Sequence, residues 1–310
     1  MNTHKPNGRR SGFTLVELLV AMTITIILLG VLVYMTGISM DTYRDSQNEV
    51  RASRQTKEAI NTIAQDFESM VSRRDGNPFE WLYAGEETTG NLGPSGKEVP
   101  NTSRLIFFTG ATDRYNGDIG GTEDNGGDVS AVSYRLVFRD QISDTDDDEH
   151  AVFSLYRHLV NPDEAFNLLA ADDLEDAYTS AFSDTDDLNA DNFLVENIYE
   201  FSVTFIIQVT VDSGGVPITH TVRAPMSPNA LTELRITGTT IESTGDLDFP
   251  TGSGLTKEQV ESGSIVGVDI SITVLSEQGV TLAKRSAISR EDLVKKHGYH
   301  FSKRITTPRP

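Results

Sequence analysis

The pattern of apolar and polar positions divides the chain into one long helix and a mixed region that follows it. Between Phe13 and Met40 nearly every side chain is apolar or small, and Glu17 is the only charged residue. At about 1.5 Å per residue, a helix of this length crosses a bilayer of about 30 Å. We therefore predict a membrane-spanning helical segment at residues 13–40.

Beyond this run, the spacing of apolar residues becomes that of an amphipathic helix. Residues of this kind recur at i, i+3, i+4 and i+7 spacing: Ile60, Ile63, Ala64, Phe67, Met70 and Val71. The breakers Gly76-Asn77-Pro78 follow them. The pattern predicts that the helix continues over residues 41–75 and packs one face against a sheet.

Residues 76–310 alternate between strand-like runs and polar, glycine-rich connections, which indicates a separate globular domain. We predict strands at 104–109, 130–139, 151–159, 198–211 and 267–276, with another near 234–236. Short helices are expected after Pro162 and after a Ser289 cap, with a turn at 256–261. These elements predict an α+β fold, in which the long helix packs on one antiparallel sheet of five or six strands with inserted loops and short helices.

The most specific motif lies where the apolar run begins. The basic leader Arg9-Arg10-Ser11-Gly12 precedes Phe13-Thr14-Leu15-Val16-Glu17. A charge within a membrane segment costs a few kcal/mol, so Glu17 requires a cation or a function. A plain membrane anchor does not explain this order of residues, and a conventional signal peptide has a much shorter apolar region. The motif resembles the N-terminal signal of type IV prepilins and type II secretion pseudopilins.

That resemblance implies a sequence of events and a set of partners. Prepilin peptidase would remove the leader, residues 1–12, by cutting between Gly12 and Phe13, and would then methylate the Phe13 amine. In the family, the glutamate that corresponds to Glu17 pairs with the terminal amine of a neighbouring subunit. The implied fold is the pilin-like roll, and the implied partners are other pseudopilins or pilins, an inner-membrane assembly platform and the lipid bilayer.

A finer resemblance concerns the kind of subunit. The order of the strands, together with the stretch Leu194-Val195-Glu196-Asn197, is similar to that of J-type minor pseudopilins. Bulky insertions are tolerated at a filament tip more readily than in a subunit that stacks on many copies of itself. The resemblance therefore implies a subunit at or near the tip of a pseudopilus.

The charge of the chain bears on its partners and its orientation. The 310 residues include 46 acidic and 26 basic side chains, a net charge of −20, which argues against a nucleic-acid partner. Lys5, Arg9 and Arg10 precede the apolar run, so the positive-inside rule predicts a cytoplasmic N-terminus and a periplasmic domain at a bacterial inner membrane. The chain has no cysteine, so no disulfide stabilises the domain.

Two acidic runs are candidate calcium sites, because calcium prefers several oxygen ligands from one flexible segment. One run comprises Asp144, Asp146, Asp147, Asp148 and Glu149, and the other comprises Asp184, Asp186, Asp187, Asn189, Asp191 and Asn192. Neither has the glycine and terminal glutamate of an EF-hand loop. Both interpretations therefore remain open: a calcium site, favoured in the second run, or a solvated acidic loop.

No catalytic motif stands out, since the chain has no His-Glu-x-x-His pair, no Gly-x-Ser-x-Gly elbow and no phosphate-binding glycine loop. We predict that the protein is not an enzyme but a minor pseudopilin. A minor pilin of a type IV pilus or a related system would carry the same signal. The alternative from another class is a membrane-anchored, calcium-dependent binding module that does not polymerise.

Overall fold

The first element of the structure is one uninterrupted helix, α1, which spans Leu15–Glu68. The structure is a computed structural model that describes residues 14–73, 76–85, 93–94, 99, 104–110, 128–140, 150–226, 231–250, 252–285 and 288–308. The boundary between two compact units falls after Val50. Helix α1 is long enough to cross a membrane, and one window within it has a mean hydropathy of 2.7, which is apolar enough to do so. The large apolar side chains of the first unit are exposed.

Helix α1 ends before the predicted boundary at residue 75, so that part of the prediction is wrong. The backbone after Glu68 pairs with a strand instead of continuing the helix. The N–H of Val71 donates to the carbonyl of Phe108 at 2.9 Å, and the N–H of Gly110 donates to the carbonyl of Ser69 at 2.9 Å. These bonds replace intrahelical bonds, so the helix stops about two turns ahead of the Gly76 breaker.

Within the described ranges, the domain has two antiparallel sheets rather than the single predicted sheet. The strands are β1 Glu80–Gly85, β2 Arg104–Thr109, β3 Ser130–Arg139, β4 Val152–Val160, β5 Phe193–Glu196, β6 Ile198–Ser213, β7 Val216–Pro225, β8 Leu231–Thr237, β9 Ile241–Gly245, β10 Ser264–Leu275 and β11 Gly298–Thr306. The seven-stranded sheet has the order β5-β4-β3-β2-β1-β8-β9, and the four-stranded sheet has the order β11-β10-β6-β7. The α+β class is confirmed.

A single residue between β5 and β6 transfers the chain from one sheet to the other. Asn197 has a φ of 65°, in the left-handed region that asparagine tolerates better than most residues. Its N–H donates to the carbonyl of Phe153 in β4 at 2.6 Å, and its carbonyl accepts from the N–H of Leu275 in β10 at 2.9 Å. Asn197 is therefore hydrogen-bonded to both sheets.

The hairpin of β6 and β7 extends past its own sheet. Strand β10 pairs with β6 only as far as Gln208, and beyond that residue β6 pairs with β7 alone. The turn uses Gly214 and Gly215, whose φ angles of 67° and 88° are those that a tight hairpin turn requires. On this ribbon, Val216 is 61% exposed.

Six short α-helices follow α1 in the part of the chain that the structure describes. They are α2 Pro162–Ala165, α3 Leu174–Ala181, α4 Asp184–Asp187, α5 Lys257–Glu261, α6 Glu277–Ala283 and α7 Arg290–His297. The predicted start at Pro162 and the Ser289 cap are confirmed, and the Ser289 hydroxyl accepts from the N–H of Asp292 at 3.1 Å. Helices α2 to α4 lie in the segment between β4 and β5, residues 161–192, which we call the acidic insertion.

The core joins the second part of α1 to both sheets. Phe67 of α1 stacks on Phe107 of β2 with 4.5 Å between ring centroids. Beside it, the buried carboxylate of Asp66 accepts from Arg157 of β4 through two bonds of 2.8 Å, Nε to Oδ2 and Nη2 to Oδ1. The hydroxyl of Tyr134 in β3 also donates to Oδ2 of Asp66. This bidentate pair fixes the helix against the sheet at one position.

We expect Arg157→Met to destabilise the domain by about 3–5 kcal/mol, because it leaves the carboxylate of Asp66 buried without its cation. Urea unfolding followed by the fluorescence of Trp81, which is buried and is the only tryptophan, measures the change. Arg304→Met is the matched control. Arg304 also makes a bidentate pair, with Asp269, but its side chain is 68% exposed, so the expected loss is below about 1 kcal/mol. Equal losses in the two variants would contradict the prediction.

Candidate assembly site

The carboxylate of Glu17 lies in the first turn of α1 and caps that turn. Its Oε2 accepts from the backbone N–H of Thr14 and from the Thr14 hydroxyl, each at 2.9 Å. The Thr14 hydroxyl oxygen in turn accepts from the N–H of Glu17 at 3.3 Å. This reciprocal arrangement is a capping box, which satisfies backbone donors that a helix start otherwise leaves free.

The cap leaves the negative charge of Glu17 without a cation. Both bonds reach the same oxygen, Oε2, and no cation among the described residues forms an ion pair with this carboxylate. The charge therefore remains available to a cation outside these residues. Gly12 and Phe13, the residues on either side of the predicted cleavage position, lie outside the described residues. Cleavage after Gly12 and methylation of Phe13 stay predictions.

The second acidic run, which was the better calcium candidate, lies in the acidic insertion and is held by arginines. Asp187 is buried, and its Oδ2 accepts from Nη2 of Arg104 in β2 at 3.0 Å. Asp184 accepts from Nη1 of Arg135 in β3 at 2.5 Å, and this hydrogen bond lowers the pKa of the Asp184 carboxyl. Because these arginines occupy the two carboxylates, a calcium ion would have to displace them.

The other residues of that run make local turn contacts. Asp186 accepts from the backbone N–H and the hydroxyl of Ser183 at 2.8 and 2.7 Å, and these bonds lower its pKa. The side chain of Asn189 accepts from the N–H of Asp191 at 3.1 Å. Among the residues that the structure describes, no group of three or more His, Asp or Glu side chains is arranged to hold a metal ion. The first run, Asp144 to Glu149, lies outside those residues.

A third arginine, Arg235 of β8, binds the other end of the acidic insertion. Its Nη1 lies 2.9 Å from Oδ1 of Asp173, and its Nη2 donates to Glu175 at 3.1 Å. The same Nη1 donates to Oε2 of the buried Glu80 at 3.2 Å, and this oxygen also accepts from the N–H of Leu174 at 2.5 Å. The insertion has ten acidic and no basic residues, so these contacts neutralise part of a dense negative charge.

Burial raises the pKa of Glu80 from 4.5 to about 7, against the opposing effects of the Leu174 bond and Arg235. A raised pKa means that folding favours the protonated carboxyl. The resulting stability is present in full below the unfolded pKa of about 4.5, and it is lost as the pH rises through about 7.

We therefore expect the Glu80 carboxyl to make the domain about 1–3 kcal/mol less stable at pH 8 than at pH 5, and Glu80→Gln to remove that difference. Urea unfolding of the full chain in detergent at both pH values measures it. Glu233→Gln is the control, since Glu233 pairs with the same Arg235 from a partly exposed position. If Glu80→Gln shows the same pH dependence as the unmodified chain, the buried carboxyl is not its source.

The sequence analysis did not identify the capping role of Thr14 or the three arginines that pair with carboxylates of the insertion. The Thr14 cap had a visible signal, because Thr-x-x-Glu before an apolar run is the pattern of a capping box. Arg104 and Arg135 are buried cations in mostly apolar strands, and they are paired in the β2–β3 register. An isolated cation in such a strand indicates a buried anion, but the sequence does not show which one.

Comparison with known proteins gave one finding. The family described as the prokaryotic N-terminal methylation motif matches residues 7–33. The matched range contains the predicted cleavage position, Thr14 and Glu17, and it covers the first part of the apolar run. No curated protein and no solved structure matched the chain. The match supports the type IV prepilin-like family, in which the N-terminal segment acts in processing and assembly.

Proposed function

We propose that this prepilin-like chain is a minor pseudopilin, a structural subunit of a type II secretion pseudopilus. Prepilin peptidase removes residues 1–12, Phe13 becomes the methylated N-terminus, and residues 13–40 hold the subunit in the bacterial inner membrane. The domain from residue 76 onward then lies in the periplasm. Assembly places the subunit at or near the tip of the filament.

The observation that carries this proposal is the motif match over residues 7–33 together with the chemistry of Glu17. Glu17 is a single carboxylate in a long apolar helix, and it retains a negative charge without a cation among the described residues. A methylated terminal amine on a neighbouring subunit supplies a cation in the same apolar layer. A pair of this kind is favourable there because water is absent to solvate either charge.

The exposed apolar side chains of α1 support assembly rather than an isolated domain. From Leu15 to Met40, large apolar residues such as Ile27 and Val33 are more than half exposed. Lipid covers such a surface before assembly, and the equivalent helices of neighbouring subunits cover it in a filament. The same helix therefore serves as anchor and as packing surface.

The tip position is supported by the bulk of the domain. Besides one long helix and a seven-stranded sheet, the described residues include the acidic insertion and a second, four-stranded sheet. A subunit repeated along a filament must stack on copies of itself, whereas a terminal subunit has one side free. The added segments are accommodated more easily at that free end.

The decisive experiment is intact-mass and N-terminal peptide mass spectrometry of the membrane-extracted protein, produced with and without prepilin peptidase. The expected mature chain begins at methylated Phe13, only when the peptidase is present. A known prepilin in the same membranes serves as the control for peptidase activity. An intact leader beside a processed control would reject the proposal and favour the membrane-anchored binding module.

A minor pilin of a type IV pilus would give the same mass. Co-isolation of the processed subunit with type II secretion pseudopilins, or instead with type IV pilus subunits, separates these two systems. Recovery with pilus subunits alone would keep the assembly mechanism and reject the type II assignment.

A further inference from the structure

One row of side chains on α1 is left uncovered by the rest of the domain. On the opposite side of the helix, residues such as Ala59 and Ile63 are buried in the core. The uncovered row follows helical spacing and lines a shallow groove of about 380 Å³: Arg54, Lys57, Glu58, Asn61, Thr62 and Gln65. The groove extends over about 16 Å of helix, the length of about five residues of extended chain.

The groove is cationic although the chain as a whole is strongly acidic. Among the described residues, neither Arg54 nor Lys57 makes an ion pair with a carboxylate, and Glu58 is the one acidic residue of the lining. Lys303 of β11 adds a third cation at the edge, where its Nζ donates to Oδ1 of Asn61 at 3.1 Å. The whole chain has a net charge of −20, so two cations in one groove without a carboxylate partner among the described residues are unusual.

One turn earlier in the same row, Arg51 shows how this surface binds carboxylates. Its Nη2 lies 3.6 Å from Glu196 of β5, and its Nη1 pairs with Glu277 of α6. Both carboxylates come from segments outside the helix. Arg54 and Lys57 present the same chemistry to a segment that the described residues do not supply.

We propose that this groove docks an acidic polypeptide segment of a neighbouring assembly subunit, with carboxylates on Arg54 and Lys57. The inference rests on the proposed function, because it takes the partner to be another subunit. The side chains of Asn61, Thr62 and Gln65 offer donors and acceptors to the backbone of such a segment. Exposed ion pairs contribute little energy individually, so the groove sets orientation and partner choice more than total affinity.

The test uses a photocrosslinker at one end of the groove. The chain has no cysteine, so Gln65→Cys provides a unique attachment site for a benzophenone maleimide in membranes that hold the full assembly system. Irradiation followed by mass spectrometry identifies the crosslinked segment, and the N-terminal mass of the same sample reports processing. Val216→Cys is the probe control, because Val216 is exposed on β7, at the opposite edge of the four-stranded sheet from β11 and Lys303.

We expect an adduct with a segment rich in Asp and Glu from another subunit, and a loss of roughly tenfold in its yield when Arg54→Glu and Lys57→Glu are combined with Gln65→Cys. The matched control is Lys295→Glu with Lys296→Glu on α7, which makes the same change in charge at two exposed lysines. That control should leave the yield within about twofold.

An adduct with lipid, or with a segment that lacks acidic residues, would overturn the inference. So would an equal change of adduct yield in the groove variant and in the Lys295→Glu, Lys296→Glu control. A processed N-terminus accompanied by assembly but no adduct at residue 65 would also reject the groove while leaving the proposed function intact. An unprocessed N-terminus would instead reject the proposed function itself.

Discussion

A Glu17→Gln variant should be cleaved and methylated normally but incorporated into filaments at least roughly tenfold less than the unmodified subunit. The glutamine carbonyl accepts from Thr14 as the carboxylate does, so the start of α1 stays capped. The variant lacks only the charge. Without it, the terminal amine of the neighbouring subunit enters the apolar layer without an anion.

The measurement compares the fraction of subunit that co-purifies with assembled pseudopilins after detergent extraction with the fraction that remains unassembled, once mass spectrometry has shown a normal N-terminus in each variant. Thr14→Val is the matched control, because it removes the hydroxyl of the cap and keeps the charge of Glu17. We expect that control to incorporate within about twofold of the unmodified subunit. Normal incorporation of Glu17→Gln would contradict the pairing. An equal loss in Thr14→Val would assign the effect to the cap.

A Gly12→Asp variant should accumulate as the uncleaved precursor. Glycine has no side chain to obstruct the approach of a protease to the backbone, whereas aspartate adds bulk and a negative charge beside the bond to be cut. The nitrogen of Phe13 then stays in a peptide bond and cannot become a cation. The subunit should therefore fail to assemble even though Glu17 is intact.

Gel mobility and N-terminal mass, measured with the peptidase present, give the processed fraction. Gly12→Ala adds one methyl group and is the control for the loss of glycine alone, so it should retain a measurable part of the cleavage. A Gly12→Asp chain that begins at Phe13 as often as the unmodified chain would show that the bond is cut elsewhere or that the glycine has no role.

The strands that could be predicted are those whose own residues show a clear strand pattern in the sequence. Strands β2 and β3 have the predicted bounds because each is a run of apolar and β-branched residues between polar or glycine-rich segments. Strand β7 was missed because Pro217, Thr219 and His220 give it a polar edge composition. Its position depends on the Gly214-Gly215 turn and on pairing with β6, and sequence periodicity reports neither of these directly.

The candidate site likewise has residues that the sequence alone identifies and residues that only the fold identifies. Glu17 stands out because one charge in a long apolar run is a local anomaly, and its cap by Thr14 lies three residues away. The partners of Asp187 do not stand out, since Arg104 lies 83 residues earlier in the chain. An acidic run with no basic residue near it in the sequence indicates a solvated loop or a cation site. Only the fold shows that the cation is an arginine from a neighbouring strand.

The ribbon of β6 and β7 beyond Gln208 also offers a way to follow the molecule in cells. Its turn consists of two glycines that lie outside the ladder shared with β10. A short epitope inserted between Gly214 and Gly215 would lengthen this loop without changing the register of the four-stranded sheet. A single cysteine at the same position would carry a fluorophore on a chain with no other thiol. Either label would allow individual subunits to be counted by microscopy.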